Sequence, residues 1–493
     1  MKADKYSKFI KSLSLVLFFL CFSGASAQRA ELKNVLLISV DDLNDWVGVL
    51  GGHPQARTPN IDALAGRGIL FANAHTTGTS CNPARTAVLT GLSPATTGVY
   101  SNFVDWRELK RLEGVATLPR YFKDQGYRTF GAGKIFHAHT YLSDGYSGYN
   151  DPDAWHAFYP SVGRQLPDEV GPHDRPANGN PGSPYFLGFD WSAVVTDDSA
   201  MGDGQVVSWV ERQLAAASGG PQFLAVGIYR PHLPWYIPQE YFDMHPLEGI
   251  TVPQVLGSDL EDVPEIERTV KGNDSAILRG PEAHDWILEQ NLWAEAVQGY
   301  LASMSFADAM VGRVLDALTR SGQLEETIIV LWSDHGFHLG EKHRWRKWTL
   351  WEETTHVPFI VVAPGITTPG SRTEEPVSLL DLYPTLTELA GLSGPDHLEG
   401  VSLVPLLRGQ TSSWNHAAVT NNGYREHSVR DKRYRYTLHA DGSEELYDLQ
   451  SDQNEWHNLA GDESLADIKE RLSAWLPVTH ADSEAPWSGE ATD

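Results

Sequence analysis

The residues able to do chemistry in this sequence fall at a few defined places. Cys81 stands in Thr79-Ser80-Cys81-Asn82-Pro83-Ala84-Arg85-Thr86, a polar stretch in which Pro83 is placed to open a helix through Ala87, Val88 and Leu89. Asp41-Asp42 ends the apolar run Val35 to Val40. Gly133-Lys134, with His137 three residues on, follows a short strand pattern at Tyr127 to Phe130. Arg230-Pro231-His232 follows the run Phe223 to Ile228, and Ser333-Asp334-His335-Gly336 follows Thr327 to Trp332. A single polar residue after a strand is ordinary loop chemistry. Four such endings, with a cysteine on a helix N-terminus, mark a site, because ligands of open parallel sheets bind outside the carboxyl ends of the strands.

The elements that must position these residues read as repeated strand-then-loop units of an α/β fold. Thr58-Pro59-Asn60 caps a helix through Leu64, a second helix covers Leu118 to Asp124 with Gly126 ending it, and a long one covers Trp293 to Arg320. Pro358 to Ala363 reads as a further strand. Between Tyr141 and Ser192 the composition shifts to Gly, Pro, Asp and aromatics, which predicts a long ordered insertion over the active rim; residues 253–285 are similarly irregular. Tyr434 to His439, the turn Asp441-Gly442 and Glu445 to Leu449 have a hairpin pattern, followed by a helix at Leu465 to Leu476. The expected organisation is a signal peptide at 1–27, a catalytic domain at 28–412 and a small antiparallel subdomain at 413–493.

Export is read from Lys2, Lys5, Lys8 and Lys11 ahead of the apolar run Leu13 to Phe22, with Ala25-Ser26-Ala27 as the small-residue cleavage site. A periplasmic or secreted protein is expected, and no other segment has the length and apolarity to span a membrane. Removing residues 1–27 takes away Cys21 and leaves Cys81 alone, so it cannot form an internal disulfide. The chain has 493 residues with 38 Lys+Arg against 64 Asp+Glu, a formal charge of −26. So acidic a chain excludes a nucleic-acid partner, which needs a basic face. Hydrophobic residues at 41% exclude disorder for the bulk of it.

Taken in order, these blocks resemble the type I sulfatases. Cys81-Asn82-Pro83-Ala84-Arg85 matches their C-x-P-x-R core, Thr90-Gly91 follows it, and Thr58-Pro59-Asn60-Ile61-Asp62-Ala63-Leu64-Ala65 resembles the segment that precedes it. Leu446-Tyr447-Asp448-Leu449 through Glu455 and Asn458-Leu459 is similar to the family's C-terminal signature. Gly133-Lys134-Ile135-Phe136-His137, Arg230-Pro231-His232-Leu233-Pro234, Leu339-Gly340-Glu341, Lys347 and Thr355-His356-Val357-Pro358 resemble the subgroup of iduronate-2-sulfatase and its bacterial relatives.

The resemblance implies an α/β, alkaline-phosphatase-like mixed sheet sandwiched by helices, and a Cys81 that a separate maturation enzyme oxidises to formylglycine. A hydrated aldehyde carries two hydroxyls on one carbon, one to attack sulfur and one to expel sulfate. Asp41, Asp42, Asp334 and the residue at 81, with His335 as a further ligand, would hold a hard cation, Ca²⁺ rather than Mg²⁺. Arg85 and Lys134 would neutralise the sulfate, His137 would act as base, and His232 and Lys347 are alternative proton donors to the departing sugar oxygen. The run Lys342-His343-Arg344-Trp345-Arg346-Lys347 reads either as a solvated charge run or as a basic patch for a polyanion. Three functions are carried forward: a carbohydrate sulfatase acting on a sulfated polysaccharide or its oligosaccharides, a phosphonate or phosphate monoester hydrolase of the same fold, and a catalytically silent polysaccharide-binding homologue.

Overall fold

The computed structural model describes residues 33–139, 147–160, 189–216, 219–268 and 281–482. The expected export segment lies outside them, as does most of the expected insertion at 141–192.

Eight strands build the central sheet: β1 (Asn34–Val40), β2 (Ile69–Phe71), β3 (Arg128–Gly133), β4 (Ala157–Tyr159), β5 (Gln222–Ile228), β6 (Thr327–Ser333), β7 (Phe359–Val362) and β8 (Ser371–Thr373). They lie in the order β8-β2-β7-β6-β1-β5-β3-β4, and β7 alone runs against its neighbours. Side chains alternate between faces along a strand. On β1, Leu36, Ile38 and Val40 therefore enter one core while Val35 and Leu37 enter the other. Both faces are covered, which is why these strands read in sequence as unbroken apolar runs.

Helices α1 (Pro59–Ala65), α4 (Gly202–Ala215) and α5 (Trp293–Arg320) cover the first face. Helices α2 (Cys81–Thr90), α3 (Leu118–Asp124) and α6 (Leu382–Leu389) cover the second. Along α5 the residues Ala296, Tyr300, Ser303, Ala307, Val311, Val314 and Leu318 are buried at intervals of three and four, the spacing of one helical face. Helix α2 starts two residues before the expected Pro83, with Ser80 as its cap. A proline is tolerated there because the first turn's N–H groups have no partner inside the helix.

The C-terminal part is a four-stranded antiparallel meander, β9 (Ala418–Asn421), β10 (His427–Arg430), β11 (Tyr434–Leu438) and β12 (Glu444–Asp448), backed by α7 (Ala466–Ser473). Val429, Tyr436, Leu446 and Leu472 form its small core. Its first strand also reaches the segment ahead of α2: Asn421 N–H donates to the Thr77 carbonyl at 3.0 Å, and Thr79 N–H donates to the Asn421 carbonyl at 3.2 Å.

Candidate active site

Register brings the strand endings level. Val40 pairs with Ser333 on one side and Ile228 on the other, and Gly133 pairs with Gly227. Asp334, Asp41, Tyr229 and Lys134 therefore emerge on one rim. Gly133 is required for the turn into Lys134: its φ is +73°, and a Cβ there would lie 2.0 Å from the Gly227 carbonyl oxygen.

Helix α2 brings its N-terminus to this rim, with Cys81 in the first turn and Arg85 one turn later on the same face. Both are fully buried. The Arg85 guanidinium donates from Nε to Asp334 Oδ2 at 2.8 Å and from Nη2 to Asp41 Oδ1 at 2.9 Å, and its Nη1 reaches the carbonyls of Lys134 and, at 3.0 Å, Ile135. Lys134 Nζ lies 2.5 Å from Asp41 Oδ2 and 3.8 Å from the Cys81 sulfur. Lys347 Nζ bridges Asp42 Oδ1 at 2.7 Å and the same sulfur at 3.0 Å. His335 Nε2 stands 3.3 Å from that sulfur and 3.5 Å from both Asp42 Oδ1 and Asp334 Oδ2. His232 Nε2 is 3.9 Å from Asp42 Oδ2, while its Nδ1 is 2.6 Å from the Leu233 carbonyl oxygen.

So much charge without water perturbs every group. Burial pushes the Cys81 thiol up, but Lys134, Lys347 and His335 outweigh it, and with His137 beside it the thiol falls well below its ordinary value. Burial also raises Asp42, yet Lys347, His232 and His335 bring it down to about 2. Asp41 goes the other way, to about 7, because burial and the charges of Asp334 and Cys81 exceed the help of Lys134 and Arg85. Burial lowers His232, with Lys134 adding to it; burial opposes His335 too, but Asp334 raises it overall.

Donor atoms of Asp41, Asp42, Cys81 and His232 lie within 4.8 Å of one another, as do those of Asp41, Cys81, Asp334 and His335. Three buried carboxylates converging on one point are a donor set that a divalent cation would complete, and its oxygen-rich character fits a hard ion. All ten residues singled out from the sequence, Asp41, Asp42, Cys81, Arg85, Lys134, His137, His232, Asp334, His335 and Lys347, are brought together.

The basic run 342–347 is neither a solvated face nor a surface patch. Lys342 is buried on Asp259 at 2.7 Å and on the Glu455 carbonyl, Arg344 is buried against the Glu267 carbonyl, and Lys347 enters the site. Other contributors carry no local sequence signal. Tyr300 donates to the Asp42 carbonyl at 2.9 Å and accepts from Asn44 N–H at 3.0 Å, fixing a turn in which Asp42 takes φ +56°. Thr76 Oγ donates to the Asp334 carbonyl at 2.5 Å. The Tyr229 ring packs 4.7 Å from Lys134 Nζ and 4.8 Å from the His232 ring; its place directly after a strand was the one available hint.

A helix-covered mixed sheet whose parallel strand ends carry buried carboxylates facing a helix-borne cysteine defines an alkaline-phosphatase-like fold. A solved phosphonate monoester hydrolase of Agrobacterium radiobacter superposes with a TM-score of 0.73 at 24% identity, covering 90% of this chain and 94% of that one, and a solved 2-O GAG sulfatase with 0.67 at 24%, covering 90% and 91%. The sulfatase family model matches residues 33–392, and the model of the N-sulphoglucosamine sulphohydrolase C-terminal region matches 340–481. A sulfatase of Formosa agariphila is 38% identical over 93% of this chain and 89% of its own length; iduronate 2-sulfatase of Homo sapiens is 32% identical over 78% and 74%. The chain belongs to the sulfatase family and is a sulfuric ester hydrolase.

Replacing Arg85 by Met strips the compensation from two buried carboxylates. In chelator-treated protein this should cost about 3–5 kcal/mol, read as a lower urea midpoint than wild type. An unchanged midpoint would show that Asp41 and Asp334 do not depend on the guanidinium.

Proposed function

We propose that this sulfatase removes sulfate from a sulfated polysaccharide or its oligosaccharides, using Cys81 as formylglycine and a Ca²⁺ ion held by Asp41, Asp42, Asp334 and the residue at 81, with His335 beside them. One observation carries the reading: the single cysteine among the described residues is buried with two ammonium groups and an imidazole on its sulfur and three carboxylates around it. The carbohydrate part is supported by relatives and neighbours named as iduronate 2-sulfatase and as a 2-O GAG sulfatase. The complete set of carboxylates weighs against a silent homologue.

Formylglycine supplies a nucleophilic hydroxyl together with a second hydroxyl on the same carbon to release sulfate, and the cation supplies Lewis-acid orientation. The chain does the rest. Arg85 is committed to two carboxylates and two carbonyls, so it sets the frame. Lys134 and Lys347, both with ammonium groups on the Cys81 sulfur, are placed to neutralise the sulfuryl oxygens. His137 is the base. For the proton given to the leaving sugar oxygen, His232 is the better donor. Asp42 raises the Lys347 pKa against burial, so that ammonium holds its proton more tightly, whereas burial loosens the proton on His232. With Nδ1 donating to the Leu233 carbonyl, it is the imidazolium form that carries a transferable proton, on Nε2. Maturation requires a formylglycine-generating enzyme, and the signal at residues 1–27 directs the protein to the periplasm or outside.

Three outcomes test this. Peptide mass spectrometry of protein made with a maturation enzyme should find formylglycine at 81, and Cys81→Ser should bind substrate without turnover, because serine has no second hydroxyl on that carbon; a fully active preparation retaining the thiol refutes the mechanism. Asp334→Ala, or prolonged chelation, should lower sulfate release at least a hundredfold, with Ca²⁺ restoring the chelated enzyme; full activity in protein shown to be metal-free by elemental analysis would remove the ion. A sugar alkoxide needs protonation to leave and nitrophenolate does not. His232→Ala should accordingly lose far more rate on a carbohydrate sulfate than on 4-nitrophenyl sulfate, and equal losses would transfer the donor role to Lys347.

A further inference from the structure

The residues on either side of the nucleophile position each hold a loop that carries an exposed aromatic ring. On one side, Asn82 grips the loop at 101–104: its N–H donates to Asn102 Oδ1 at 2.9 Å, and its amide donates to the carbonyls of Ser101 at 3.0 Å and Val104 at 2.8 Å. Phe103 at the tip of that loop is 36% exposed. On the other side, Thr79 Oγ bonds to the Asn422 side chain, whose amide donates to the Trp348 carbonyl at 3.0 Å, and Trp348 N–H returns to the Thr79 carbonyl at 3.2 Å. Asn422 opens the turn between β9 and β10, in which Tyr424 is 41% exposed and Arg425 is exposed with φ +62°. The Arg425 guanidinium lies 5.2 Å from the Tyr424 ring centre, and the rings of Tyr100 and His480 stand T-shaped to the same ring at 6.1 and 6.0 Å.

Two exposed rings and an arginine, tied by short hydrogen-bond chains to the residues flanking Cys81, make a surface of the kind that holds sugars: aromatic faces take the apolar face of a pyranose, and a guanidinium takes an acidic substituent. An exposed arginine on a chain of formal charge −26 is a cationic group that an anionic ligand would meet. We propose that Tyr424 and Arg425, with Phe103 on the loop that Asn82 holds, form a subsite for the sugar next to the one that loses sulfate, and that this neighbouring sugar carries a carboxylate or a second sulfate. The subsite rests on the carbohydrate sulfatase reading and narrows it, making the substrate an anionic oligosaccharide rather than a monosaccharide or a neutral glycan ester.

The test compares each enzyme with itself. The ratio of kcat/KM for a sulfated glycosaminoglycan or algal tetrasaccharide that wild type desulfates to kcat/KM for 4-nitrophenyl sulfate should fall at least tenfold in Tyr424→Ala and in Arg425→Ala. It should be largely restored in Tyr424→Phe and partly in Arg425→Lys. Ratios within twofold of wild type overturn the subsite while leaving the sulfatase reading intact. A second measurement, calorimetric titration of the Cys81→Ser protein with the same tetrasaccharides, separates the two ideas. Binding that weakens at least tenfold in the Cys81→Ser, Arg425→Ala double variant supports the subsite even where wild type releases no sulfate, and binding indifferent to residue 425, or no binding to any tetrasaccharide, overturns it.

Discussion

Asp41, Asp42 and Asp334 are carried to the end of two adjacent strands and sealed from water, where an uncompensated carboxylate would cost several kcal/mol. The Arg85 guanidinium makes this arrangement possible, because it donates to both strand endings, to Asp41 after β1 and to Asp334 after β6. Its planar fork suits two carboxylates at once in a way a lysine ammonium does not. The spacing of Cys81 and Arg85 then follows. Four residues on a helix bring a reactive side chain and its charge partner to one face, so the group that frames the carboxylates also fixes where residue 81 must sit.

Around that clamp the protein works with two kinds of support. The strands give position, since level endings on β6, β1, β5 and β3 put an acid, an acid, an aromatic and an ammonium on one rim. The loops give charge balance. Lys347 arrives from a segment where Arg346 and Trp348, its two neighbours, both hold positive φ, a conformation that non-glycine residues keep only when the surroundings enforce it. The enforcement is visible in the buried partners of Lys342 and in the bonds of Trp348 to Thr79 and Asn422.

Much of this was legible in the sequence, for physical reasons that differ by element. Helices at Leu118–Asp124 and Trp293–Arg320 appear where periodicity and terminators placed them, because those signals are local. The acids after β1 and β6 were visible because a polar pair terminating an apolar run is also local. What stayed hidden was set by contacts across the chain. Tyr300 meets Asp42 over 258 residues, and Lys342 meets the Asp259 carboxylate over 83 and the Glu455 carbonyl over 113, so a run of basic residues that read as solvated or as a surface patch is buried on partners that no window around it contains. The clamp itself falls between the two: the motif announced Arg85, but only the fold shows that it faces carboxylates.

The bond between Thr79 and Asn422 spans 343 residues, and it gives the protein a clock. Until β9 has been made and has laid its backbone against Thr77 and Thr79, the segment around Cys81 lacks one of its walls. Once it has, the side chain of residue 81 is buried. At roughly 5–20 residues per second of synthesis, the nascent chain offers that cysteine for an interval of roughly 20 to 70 seconds before the closing strand exists. A macromolecule that needed the backbone around Cys81 extended would find it so only before this closure.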